Sequence, residues 1–335
     1  MKHLSRFFGI AALVAAAVFA FTACSDGGDD GPPPPPPYII TGSGTSFTVT
    51  SPSGIELAGD DTMANVISAI RVNAEGADVH IQFGADGEDL DTASTPIIFN
   101  DTNGDWGGHI TLRGNISSTG ASNALIQVGN GVSVTSNVDI TGIMTTGMSR
   151  GASLTGNGNL TIAGGTFFGG SNPAVNHNGT GLLTITGGIF ASNIQNGSII
   201  LQHEGSRMHM SGGTVRTGSN NANQATISVA SNHENAVVIS GGIVGSMDSN
   251  NAELQGMAIR STGTGGITIR GNALITSMSA SNGTIRLQHA SGGSLRIEGG
   301  SVRNTSANGP AITRTASQTV THTGGTINPM PEWLE

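Results

Sequence analysis

The octet LTIAGGTF, Leu160–Phe167, returns as LTITGGIF, Leu183–Phe190, 23 residues further on. Related phrases extend in both directions: HITLRGNI with Gly114, VDITGIM with Gly142, MHMSGGTV with Gly212, VVISGGIV with Gly241, ITIRGNAL with Gly271, LRIEGGSV with Gly299 and THTGGTI with Gly324. The steps between these glycines are 28, 22, 23, 25, 29, 30, 28 and 25 residues. Nine members at a loosely constant period describe a solenoid, in which each unit buries its apolar face only against its neighbours.

Each phrase alternates before its glycine. In LTITGG, Leu183 and Ile185 point to one face and Thr184 and Thr186 to the other. The glycine pair then bends the chain where a Cβ would strike the adjacent coil. A second apolar stretch precedes the phrases by about 10 to 15 residues, as in SIIL at Ser198, ATISV at Ala225, TIRL at Thr284 and PAIT at Pro310. Each period therefore holds two short strands, with a third expected after the glycines. Charged residues are only 10% of the chain and glycine accounts for 52 positions, which suits short strands and tight turns and opposes long surface helices.

A unit of this size is too short for a propeller blade and lacks the leucine/asparagine or helical patterns of other repeats. It matches one turn of a parallel β-helix. Nine coils stacked at about 4.8 Å would span roughly 40 Å. From about Trp106 to Asn328 the chain resembles the right-handed parallel β-helix of the pectin-lyase-like superfamily. The expected fold is all-β, a right-handed parallel β-helix solenoid with a short N-terminal capping α-helix. That superfamily includes polysaccharide lyases and hydrolases, phage tailspikes and adhesin passengers, so the resemblance implies a fold and not one activity.

An open solenoid needs caps. In DDTMANVISAIRVNAEG, Asp60–Gly76, Asp61 or Thr62 serves as N-cap. Met63, Val66, Ile67 and Ile70 form one apolar face, and Gly76 stops the helix. VHIQF, Val79–Phe83, alternates as the entering strand. At the other end NPMPEWLE offers Met330, Trp333 and Leu334 to fold over the final coil.

The first residues address the chain. Lys2 and Arg6 precede an apolar run from Phe7 to Phe21 and small residues before Cys24, the layout of a secretory signal. FTAC, Phe21–Cys24, resembles the lipobox of bacterial lipoproteins, with Phe21 where leucine is usual. The resemblance implies acylation of Cys24, the only cysteine in the chain. The acidic, proline-rich SDGGDDGPPPPPP, Ser25–Pro37, follows as a tether; its six prolines give roughly 19 Å of stiff spacer. The organisation expected is a signal peptide over 1–23, a tether over 24–37, an N-terminal cap and first rungs over 38–105, and repeats with a short C-terminal cap over 106–335.

Charge and chemistry narrow the function. Lys2 is the only lysine, and after Cys24 there are 11 arginines against 22 carboxylates, so nucleic acid is not an expected partner. Glycan-cleaving sites need grouped carboxylates. Between Trp106 and Pro331 there are six, Asp139, Glu204, Glu234, Asp248, Glu253 and Glu298, at scattered places in the period. No catalytic residue is expected. His177, His203, His233 and His289, with Arg260 and Arg314, recur 8 to 11 residues before their glycines and read as turn-flanking polar residues. GMSRG, Gly147–Gly151, fits G-x-S-x-G but lacks the strand-and-helix setting of a nucleophile elbow. Asp101, Asn103 and Asp105 in NDTNGDWGG fall at alternate positions, as in the start of a calcium loop, beside the acidic run Asp86, Glu88, Asp89 and Asp91. Calcium is the one cofactor the sequence suggests, against a solvated turn as the simpler account.

The expectation is a lipid-anchored bacterial envelope or surface β-helix that acts by contact, adhesin-like or structural. Its partners would be a membrane, through the anchor, and a glycan or a host or envelope protein. The alternatives are a carbohydrate-binding or polysaccharide-degrading β-helix and a passive envelope spacer.

Overall fold

The computed structural model describes residues 35–85, 87–101, 104–118, 124–141, 150–170, 172–192 and 197–334. Pro36–Glu335 form the compact unit. It is an all-β parallel solenoid of about eight turns with one short α-helix. Cys24 and Asn103 lie outside the described residues.

Three strands make a full coil. In one coil they are Val175–Gly179, Leu182–Ile185 and Ile189–Ser192. The first belongs to a nine-stranded sheet that begins at Ile97–Phe99 and ends at Ile312–Arg314. The second and third belong to a larger sheet. The expected third strand is therefore present. Like strands pair in parallel: Leu183 lies opposite Leu160 and Met208, and Phe190 opposite Phe167 and Val215. The inward residues form one continuous core, and Leu183, Ile185, Phe190, Ile199 and Leu201 are fully buried within it. The rings of Phe167 and Phe190 stack at 5.6 Å between centroids.

The two glycines of a phrase are required for different reasons. Gly188 has φ +88°, a backbone state that costs any residue with a Cβ, and a Cβ there would sit 2.9 Å from the Gly165 carbonyl of the preceding coil. Gly187 has no such φ, but a Cβ on it would overlap the Ala163 carbonyl.

One member of the phrase series was misplaced. VDITGIM suggested Gly142 as a phrase glycine, but the register puts Val138 opposite Gly114 and Asn137 opposite Gly164. The strand Ser133–Thr141 continues past this place with its alternation unbroken, Val134, Ser136, Val138 and Ile140 being buried. Gly142 itself lies outside the described residues.

The N-terminal end is built differently. Strands β1 (Tyr38–Ser43), β2 (Ser46–Thr50) and β3 (Glu56–Asp61) pair antiparallel, and β1 then pairs in parallel with β4 (Val79–Phe83). Helix α1 (Met63–Ala74) packs against β2, β3 and Ile97–Phe99. Thr62 is its N-cap, accepting the Asn65 amide at 3.3 Å, while Asp61 Oδ1 accepts the Thr62 amide at 2.7 Å. Met63, Val66, Ile67 and Ile70 are its buried face, as the spacing predicts. The helix ends at Glu75 in the left-handed conformation, followed by Gly76 at φ +83°.

At the other end, Leu334 packs against the core, but Met330 and Trp333 stay partly exposed, at 36% and 42%. Trp333 lies under the Arg314 guanidinium, 4.2 Å from the ring centroid. Arg314 stands opposite the buried Leu287, in a row that faces the core in earlier coils. On this last strand of the nine-stranded sheet Arg314 is exposed, and the tryptophan covers it instead of the core.

Candidate functional surface

The alternation that buries Leu183 and Ile185 turns Thr184 outward, and parallel register aligns it with its counterparts. Thr111, Thr135, Thr161 and Thr184 lie opposite one another on four successive coils. The row continues through His209, Val238, Thr268, Arg296 and Thr321. At about 4.8 Å per coil, four stacked threonines present a regular strip of hydroxyl and methyl groups. Such a strip can hydrogen-bond and pack without a fixed charge.

The carboxylates of the coils are dispersed. Among the described residues no group of three or more His, Cys, Asp or Glu could hold a metal ion. Glu298 pairs with Arg296 at 2.7 Å in the exposed row. Asp248 Oδ1 accepts the Asn250 and Ala252 amides at 2.8 and 2.9 Å and so closes a turn. That turn opens the segment carrying Glu253, which reaches Arg303 at 2.7 Å and accepts the hydroxyls of Thr276 and Thr305. Burial acts to raise the Glu253 carboxyl, but the Thr276, Thr305 and Arg303 donors and the Arg303 charge outweigh it and hold the group below the usual carboxylate range. Glu253 is thus an acceptor that clips an inserted segment to two coils. It has none of the raised pKa that suits a general acid.

The histidines divide into two kinds. His203, His233 and His289 accept at Nδ1 the amides of Gly205, Asn235 and Ser291, at 2.9, 3.1 and 3.1 Å. These are the expected turn-flanking residues. His177 is a correction: it is fully buried, in the row between Leu154 and Leu201. Its Nε2 contacts the Gly181 carbonyl at 2.9 Å, while Nδ1 is buried with no hydrogen-bond partner among the described residues. Burial lowers its pKa to about 4, against the smaller opposing effect of that carbonyl. A neutral imidazole fills a leucine position, and the sequence offered no sign of this because its spacing matches the other three.

Of the calcium candidates, Asn103 and the neighbouring Asp86 lie outside the described residues; Asp101 accepts the Gly104 amide at its backbone carbonyl, 3.0 Å, and Asp105 Oδ1 accepts the Gly107 amide at 2.9 Å. Both therefore shape the turn that brings Trp106 onto Phe99, ring centroids 5.7 Å apart. In GMSRG, the residues after the serine open a strand, Arg150–Gly156, where a nucleophile elbow needs a helix. Among the described residues no helix is long and apolar enough to cross a membrane.

Comparison with protein-family models, with curated proteins and with solved structures finds no match to this chain.

Proposed function

We propose that this chain is a lipid-anchored protein of the bacterial envelope whose solenoid acts by contact, as an adhesin-like or structural element. The observation that carries the reading is the threonine strip of Thr111, Thr135, Thr161 and Thr184, a regular uncharged row on coils whose carboxylates are dispersed. A right-handed coil of the pectin-lyase-like kind is the form of solenoid that suits the repeat. The signal-like first residues and Cys24 support attachment through an acyl chain, with the proline tether holding the solenoid clear of the lipid.

Two measurements test this. Cys24→Ser should move the protein out of the membrane fraction on detergent partitioning, and an unchanged distribution rejects the anchor. The full chain carrying Cys24→Ser, probed on arrays of glycans and of envelope and host-matrix proteins, should be retained by at least one surface. Thr161→Lys with Thr184→Lys should abolish that retention. Release of shortened products from a polysaccharide would overturn the contact reading in favour of an enzyme.

A further inference from the structure

The contact reading rests on the threonine strip. A separate feature lies on the nine-stranded sheet near its C-terminal end. Arg260, on the strand Met257–Ser261, lies opposite Arg286 on Ile285–Leu287, and Thr313 lies opposite Arg286 on the next strand. Two guanidinium side chains thus stand side by side on strands about 4.8 Å apart, an arrangement that repels unless something offsets it. Among the described residues the ion pairs are Arg296–Glu298 and Arg303–Glu253, so no carboxylate pairs with either.

What holds these arginines is neutral. Arg260 Nη1 donates to the Asn223 carbonyl at 3.2 Å. Arg286 donates through Nη1 to Asn282 Oδ1, and through Nη2 and Nε, at 3.0 and 3.1 Å, to the Gln288 amide oxygen turned toward it. Asn282 is fixed in turn by the Ala222 carbonyl at 2.7 Å, 60 residues away in sequence, and the Thr313 hydroxyl donates to the Asn282 carbonyl at 2.6 Å. Arg314, held over Trp333, reaches the same place from the following coil. Ser281, Asn282, Arg286, Gln288, Thr313 and Arg314 line one cavity of about 230 Å³. It holds two guanidiniums, amides and hydroxyls, and no carboxylate.

We propose that this cleft binds a small oxyanion, a carboxylate or sulfate group carried by a solute. The guanidiniums are oriented by neutral acceptors, which position the donors and leave their charge uncancelled. That is the state a binding site needs before its ligand arrives. The cavity is smaller than a typical drug-sized site and takes one anionic group with a few attached atoms. Arg260 and Arg314, expected as turn-flanking residues, lie instead on the strands Met257–Ser261 and Ile312–Arg314.

The test is titration of the full chain carrying Cys24→Ser with sodium sulfate and, separately, sodium acetate, at ionic strength held constant with chloride. Binding is read from tryptophan emission, since exposed Trp333 lies against Arg314, and from calorimetry. Saturable binding of either ion is expected, weakened at least tenfold by Arg286→Gln and by Arg314→Gln and unchanged by Arg113→Gln on a distant coil. Which ion saturates assigns the group as planar or tetrahedral. Melting curves check that each variant stays folded, and Arg286→Lys, which keeps the charge but loses the fork, should bind at an intermediate level. No saturation with either ion, or equal binding by Arg286→Gln, overturns the proposal. Tight binding of dextran sulfate with neither small ion bound also overturns it, in favour of a polymer.

Discussion

The N-terminal cap and the coils obey different rules about charge. From 38 to 105 there are 11 carboxylates and one arginine, 1 − 11 = −10. From 106 to 335 there are 10 arginines and 8 carboxylates, 10 − 8 = +2 over more than three times the length. Parallel stacking accounts for the scarcity of charge in the coils. In the coils each outward residue sits about 4.8 Å from its counterpart above and below, so any charge placed at a repeated position meets itself. Threonine, serine and asparagine meet themselves without penalty. The cap has a coil on one side only, its strands β1 to β3 run antiparallel, and like residues are not brought opposite. Irregular backbone collects there as well: among the described residues, the non-glycine positions with positive φ are Asp60, Glu75 and Ala93 in the cap and Asn251 in a coil.

The comparison breaks most sharply on burial. Ile185 is fully buried between Ile162 and Met210, whereas Val72 on α1 is 70% exposed. Ile185→Asp should cost several kcal/mol, about 4 or more, because an unpaired charge enters the core. Val72→Asp should stay within about 0.5 kcal/mol. Chemical denaturation of the two variants decides it; similar midpoints would mean that the coils are not held by their neighbours.

Next in size is a pH effect confined to one coil. His177 titrates near 4 in the folded chain and near 6.5 when unfolded. Its neutral form is favoured by folding, so its contribution is complete above pH 6.5. As pH falls toward 4 the unfolded chain takes up the proton first, and up to about 3 kcal/mol is lost. Below pH 4 no further change comes from this group. His177→Leu, matching Leu154 and Leu201 in register, should remove that slope, measured as denaturation midpoints between pH 7 and pH 4. An unaltered slope would place the titration elsewhere.

A smaller effect separates backbone conformation from coil contact. Gly54, in the turn between β2 and β3, has φ +81° and open space around its missing Cβ; Gly188 has φ +88° and the Gly165 carbonyl 2.9 Å away. Gly54→Ala should cost about 1 kcal/mol, the conformational share alone. Gly188→Ala should cost about 1 to 2 kcal/mol more, from the neighbour it strikes. Equal losses would show that the glycines serve only the turn.

These positions also show where sequence reading succeeds. Leu183 and Ile185 were legible because a repeated alternation constrains every coil at once, and α1 because capping and a 3.6-residue apolar face are local signals. The antiparallel β1–β2–β3 arrangement was not, because it occurs once and nothing repeats to expose it. Gly142 misled because VDITG has the composition of a phrase, while the register puts Asn137, not a glycine, opposite Gly164. The arginine cleft depends on Asn282 meeting Ala222 across 60 residues, a contact that no local pattern encodes.

The smallest effect bears most directly on function. Thr184 is half-buried between Thr161 and His209 in register, and its side chain has no partner in the core. Thr184→Asn keeps a short, neutral, hydrogen-bonding group and should change stability by no more than about 0.5 kcal/mol. Thr184→Ser keeps the hydroxyl but removes the methyl, with the same small effect on folding. If the strip is a contact face, the two variants should part on binding: serine should retain most of the array signal and asparagine should lose it, because the outward geometry of a β-branched hydroxyl repeats along the row and an amide breaks it. Equal binding by both would remove the hydroxyl row from the interface. A loss of stability beyond 1 kcal/mol in either would show that the row supports the coil, in which case cap and coils would differ in charge alone and not in what their outer faces are for.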